Sequence, residues 1–125
     1  MKKEFSELSS RVIGCAIEVH RVLGPGLLES TYQGCFSKEL ALHGIEHALE
    51  HPVPVEYKGF RLDCGYRIDV LVANEIVVEL KAVEEIKGIH QAQLLTYMKL
   101  LRIKQGLLIN FNVECLKDGI KSFVL

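Results

Sequence analysis

The sequence predicts a mixed α/β domain, a β-sheet flanked by helices in the order ααβββαββ, and three stretches carry the prediction. The segment before Leu40 repeats its apolar positions twice at helical spacing. Gly65 to Ala82 holds two β-branched runs joined by a short turn at Ala73 to Glu75, the pattern of a β-hairpin in a buried sheet. A third apolar run, Leu107 to Ile109, follows a helical pattern, as in a parallel crossover.

The first helix spans Phe5 to about Leu23, with Val12, Ile13, Ala16, Ile17, Val19 and Leu23 on its apolar stripe. His20 falls on that stripe and should point inward, and Gly24-Pro25-Gly26 ends the helix. A second helix begins near Leu27 and turns Leu28, Tyr32, Cys35, Phe36 and Leu40 inward before Gly44 stops it. Glu29 lies in its first turn, where the helix dipole alone favours a carboxylate by a few tenths to about 1 kcal/mol. Tyr32, one turn on, shares that face and is expected to hold the carboxylate by a hydrogen bond.

Glu46 to Tyr57 contains Pro52 and Pro54, which remove ladder donors, so it should be an edge strand. Lys58-Gly59 turns the chain into Phe60 to Leu62 and on towards the hairpin. After the hairpin a polar connection opens a helix from about Ile89 to Leu101, presenting Ala92, Leu94, Leu95, Met98 and Leu101 to the core. His90, Gln93 and Tyr97 fall on another line of that helix. Leu107 to Ile109 then lies inside the sheet, Asn110 and Asn112 end it, and Ile120 to Val124 forms an edge strand.

A chain of 125 residues makes one domain, spanning 1–125, with an ordinary globular composition of 49% hydrophobic and 25% charged residues. No apolar run approaches a membrane span, and the Met-Lys-Lys-Glu-Phe start lacks a signal-peptide core, so the expected location is the cytoplasm. Cys15, Cys35, Cys64 and Cys115 show no metal-binding spacing and are expected to be small buried thiols in a reducing compartment. A net charge of −1 argues against a strong sequence-independent grip on nucleic acid and leaves Arg67, Lys87, Lys99 and Arg102 as candidates for a local basic rim.

Charge sits where the hairpin should be apolar. Asp69 interrupts the first run, and Glu79 and Lys81 interrupt the second, two residues apart and therefore on one face. A three-residue loop, Ala73-Asn74-Glu75, sets Asp69 opposite Glu79, whereas a two-residue loop would send it to the wrong face. Two carboxylates there suit Mg²⁺ (or Mn²⁺), and Lys81 would orient a water or offset developing charge. The competing account is a buried Glu79–Lys81 ion pair, an arrangement that rarely stabilises more than an apolar isostere.

Asp69 followed by Glu79-Leu80-Lys81 resembles the D…(D/E)xK signature of the PD-(D/E)XK nuclease superfamily. Gly26-Leu-Leu-Glu29-Ser-Thr-Tyr32, preceded by Glu18-Val-His20, is similar to the motif of its small GxxExxY branch. Gln93-Leu-Leu-Thr-Tyr97 resembles the QxxxY element of RecB-like nucleases, and Gly106 to Phe111 resembles the next strand; Ile68 stands where the signature has proline. The resemblance implies a restriction-endonuclease-like fold and a divalent-metal-dependent nuclease acting on DNA or RNA, with Asp69 and Glu79 as metal ligands and Lys81 catalytic. It also implies that Glu29 reaches the metal side, that His20 is an additional ligand, and that Gln93 and Tyr97 contact substrate phosphate or the lysine. The alternative is an inactive binding or adaptor module of the same fold. The small domain leaves room for a homodimer or a recruited partner protein.

Overall fold

The computed structural model describes residues 6–125. Helix α1 runs Glu7–Leu23 and opens at Ser6, whose hydroxyl accepts from the Ser9 N–H; Phe5, the expected start, lies outside the described residues. Helix α2 runs Glu29–Leu42. Strands β1 (His47–Pro52), β2 (Val55–Tyr57), β3 (Phe60–Leu62), β4 (Arg67–Val72) and β5 (Ile76–Lys81) follow, then helix α3 (Gly88–Leu101), β6 (Gln105–Asn110), a short 3-10 turn and β7 (Ile120–Val124).

Five strands form one mixed sheet in the order β1-β4-β5-β6-β7, with β5 and β6 parallel across α3 and the other pairs antiparallel. Counting only these strands, the chain reads ααβββαββ, as expected. The addition is a separate two-stranded ribbon, β2–β3, between the first two sheet strands. The single strand expected over Glu46 to Tyr57 is therefore two. Pro52 and Pro54 lack the N–H groups that would carry one ladder through, and Val53, between them, donates to the Tyr66 carbonyl instead.

Core packs on both faces of the sheet. On one, Val12, Ala16 and Val19 of α1 and Tyr32, Phe36 and Leu40 of α2 meet Val70, Val78, Leu80 and Ile109; on the other, Leu94 and Met98 of α3 meet Leu71, Val77 and Leu108. Of the four cysteines expected to be buried, Cys15 is, but Cys64 and Cys115 are exposed, because they lie in the connections before β4 and before the 3-10 turn. Three further side chains expected inward point out. Ile17 sits off the Val12-Ala16-Val19 line and is exposed. Leu28 is the extended residue before α2, so no helical period directs it, and it is 73% exposed. Ala92 lies across the helix from Leu94 and is exposed, whereas Tyr97 falls on the buried Leu94–Met98 line.

Candidate active site

The β4–β5 hairpin has the three-residue loop, with Val72 opposite Ile76 and Val70 opposite Val78, so the next pair in register is Asp69 and Glu79. Ala73 and Asn74 both take left-handed backbone, at φ 50° and 57°, and Glu75 N–H closes the turn on the Val72 carbonyl at 2.8 Å. Beyond Val70 the ladder is carried by side chains. Asp69 N–H donates to Glu79 Oε1 at 2.8 Å, and Leu80 N–H donates to Asp69 Oδ2 at 2.8 Å. Each carboxylate thus holds the backbone of the opposite strand by one oxygen. Among the described residues no fully buried side-chain polar atom lacks a partner, so the second oxygens, which take no hydrogen bond from the protein, are not wholly sealed from solvent.

Burial dominates the electrostatics. Glu79, 6% exposed, has its pKa pushed up to about 8 by burial and by the facing Asp69, against the opposing Asp69 N–H and Lys81. Asp69 is also raised, chiefly by burial, with Glu50 and Glu29 adding to the rise and the Leu80 N–H and Lys81 working against it. Lys81 ends β5 on the same face as Glu79, and no Glu79–Lys81 ion pair is present among the described residues. The simple buried-pair account therefore lacks its contact.

The loop before α2 explains the spacing of Gly26, Glu29 and Tyr32. Gly24 and Gly26 take φ 73° and 96°, which suit glycine, and fold the chain back. Tyr32 is fully buried and stacked on Phe111 at 4.4 Å; its hydroxyl donates to the Gly24 carbonyl and accepts from Leu27 N–H. It clamps the loop and does not hold Glu29, contrary to expectation, because its ring turns into the core. Glu29 reaches the end of β5, where its Oε2 accepts from Ala82 N–H at 3.3 Å.

Two site residues escaped the sequence. Glu50 stands across from Asp69, between the pairs Leu49–Val70 and His51–Ile68, at φ 51°. Gln33 Nε2 donates to both Glu50 Oε2, at 2.7 Å, and the Asp69 carbonyl, at 3.0 Å. Glu29, Gln33, Glu50 and Asp69 line one cleft. Gln33 follows Glu29 by four residues, a spacing that could have flagged it. Glu50 carried no local signal, since only the β1–β4 register brings it opposite Asp69.

The remaining candidates divide. Tyr97 is buried on α3 in the core cluster with Ile68 and Val77, and its pKa is raised, first by burial and then by the charges of Glu79 and others including Asp69. Gln93 lies one turn earlier and is exposed, and His90 caps α3 by accepting from Lys87 N–H. His20 points inward as predicted, but its Nε2 is bonded to the Val113 carbonyl at 2.7 Å and it does not line the Glu29–Asp69 cleft. The structure does not bring it together with the carboxylates; the loop after Phe111 occupies its ring nitrogen. Among the described residues no group of three His, Cys, Asp or Glu side chains is placed to hold a metal ion.

A profile of the PD-(D/E)XK nuclease superfamily matches residues 6–123. The chain belongs to the PD-(D/E)XK nuclease superfamily. Neither a curated protein nor a solved structure matches it. Membership accounts for the fold, a mixed sheet between helices, and suggests nuclease action and contact with nucleic acid. No helix among the described residues is long and apolar enough to cross a membrane. The superfamily generally uses divalent metals, and the donor chemistry here fits one: two neighbouring carboxylates, both raised by burial, each with one oxygen free of protein hydrogen bonds.

Proposed function

We propose that this protein is a divalent-metal-dependent nuclease of the GxxExxY, RecB-like kind, hydrolysing phosphodiester bonds of DNA or RNA. The observation that carries it is the pair Asp69 and Glu79, facing each other at the open end of a hairpin where burial disfavours both charges. Carboxylates so placed are relieved by a cation, and Mg²⁺ or Mn²⁺ takes hard oxygen donors while retaining waters. Asp69 and Glu79 would hold that ion. When bound, it would polarise the phosphate and make a water more acidic.

The chain's own groups supply the rest. Lys81, on the Glu79 face, orients the attacking water and offsets charge developing on the phosphate. Glu29, fixed to Ala82 N–H, and Glu50, fixed to Gln33, border the cleft and orient further waters. Gln33 sets Asp69 through its backbone carbonyl. Tyr97 and Gln93 flank the approach from α3 and contact the substrate backbone.

Calorimetric titration of Mn²⁺ and Mg²⁺ into wild type and Glu79→Ala tests the assignment. Saturable binding lost in the variant is expected; no uptake by wild type at millimolar metal refutes it. A second reading, an inactive adaptor of the same fold, is favoured by one observation, the lack of a three-ligand group among the described residues. It requires that metal be neither bound nor needed.

A further inference from the structure

The chain leaves the sheet after Pro52, forms the β2–β3 ribbon and re-enters at Arg67, two residues before Asp69. The ribbon is therefore the outer end of the β1–β4 hairpin, beyond the Pro52–Arg67 pair. Its two-residue turn, Lys58-Gly59, takes φ 50° and 82°, the left-handed pair that suits a tight hairpin. Residues paired across a ladder share a face, so Val55, Tyr57, Phe60 and Leu62 make one apolar face, with Glu56 and Arg61 on the other. Tyr57 is 63% and Phe60 61% exposed. A lone ribbon is marginally stable, and this one turns its aromatic face to water.

We infer that the ribbon grips an unpaired strand of nucleic acid, bases stacking on Tyr57 and Phe60; this rests on the nuclease assignment and adds the class of substrate. The charge balance favours this occupant. The protein carries −1 overall, its cleft is lined by Glu29, Glu50 and Asp69, and the Glu79 carboxylate stands near Asp69, so the phosphate neutralisation that holds duplexes is scarce. Stacking can replace it, but only for bases free of a partner strand. One cation accompanies the rings directly: the Lys58 ammonium lies 5.3 Å from the Tyr57 centroid, while Arg67 stands at the root of the ribbon and Arg61 lies on its opposite face beside Asp63. The connection back to the sheet also leads to the cleft. It carries Tyr66, half-exposed and 6.3 Å from the ring of Tyr97, which feels the charges of Glu79 and Asp69.

Fluorescence anisotropy with labelled oligothymidylate, and with a duplex of equal length, in Ca²⁺, tests this on wild type, the Tyr57→Ala/Phe60→Ala double variant and the conservative Tyr57→Phe/Phe60→Tyr variant. The single strand should bind wild type more tightly than the duplex and with a shallow salt dependence. The alanine variant should lose at least ~10-fold in affinity, with Mn²⁺ uptake and circular dichroism unchanged, and the conservative variant should bind as wild type. Equal binding of both probes, no binding of oligothymidylate, or an unaffected alanine variant overturns the inference. So does a dimer seen by sedimentation that the alanine variant dissolves without change in binding, since the face would then join two copies. If the ribbon assignment alone is wrong, Mn²⁺ uptake and cleavage persist; if the nuclease assignment is wrong, both are absent from wild type.

Discussion

Replacing Glu79 by glutamine should stabilise the metal-free protein at alkaline pH while abolishing its affinity for metal. A glutamate whose pKa rises from an ordinary 4.5 to about 8 on folding takes up a proton as the chain folds. Its contribution is fully present below pH 4.5 and is lost as pH rises through about 8. The gap of about 3.5 pH units, at about 1.4 kcal/mol each, sets an upper limit of about 5 kcal/mol. Asp69, also raised, acts in the same direction. The assay is urea denaturation of both proteins in chelator, from pH 5 to 9. Wild type should lose several kcal/mol over that range relative to Glu79→Gln, whose amide has no charge to bury. Adding Mn²⁺ at pH 8 should restore wild type and leave the variant unchanged. Parallel pH profiles, or a variant less stable than wild type at pH 8 without metal, would refute the reasoning and mark Glu79 as a partner in a structural charge network.

Asp69→Asn should weaken Mn²⁺ binding and reduce any phosphodiester hydrolysis by about 100-fold or more, measured by calorimetry and by cleavage of a labelled oligonucleotide. Gln33→Ala removes the amide shared by Glu50 and the Asp69 carbonyl; metal affinity should fall about 10- to 100-fold by titration, with a loss of about 1–2 kcal/mol in denaturation. Tyr32→Phe deletes the hydroxyl bonding Gly24 and Leu27 and should cost about 1–3 kcal/mol by thermal denaturation. Gly119→Ala should cost about 1–3 kcal/mol in the same assay, because a Cβ there runs into the Asn110 carbonyl.

The hairpin was legible because its information is local. Alternation fixes Glu79 and Lys81 on one face, and the count of loop residues fixes Asp69 across from Glu79, so period and length alone set the register. The crossover from β5 through α3 to β6 was legible for a similar reason: a continuously apolar run that follows a helical pattern reads as an interior parallel strand, and parallel neighbours need a long crossover, here a helix. Phe36, Leu40 and Val12 entered the core as their spacing required. Where the sequence misled, a local rule met a tertiary constraint. Leu28 is apolar, yet it precedes the first helical turn; Tyr32 lies one turn from Glu29, yet its ring follows Phe111 into the core.

The order of the sheet strands and helices, the two buried faces and the approach of Asp69 to Glu79 are all consequences of periodicity over a few residues, and so are encoded locally. That Glu50 and Gln33 join the carboxylates, that His20 is tied to Val113, and that residues 55–62 leave the sheet as a ribbon are set instead by long-range packing. Those outcomes depend on how β1 registers against β4 across an intervening excursion and on how two helices pack on the sheet. No run of neighbouring residues encodes either, because each is fixed by the packing of segments distant in the chain.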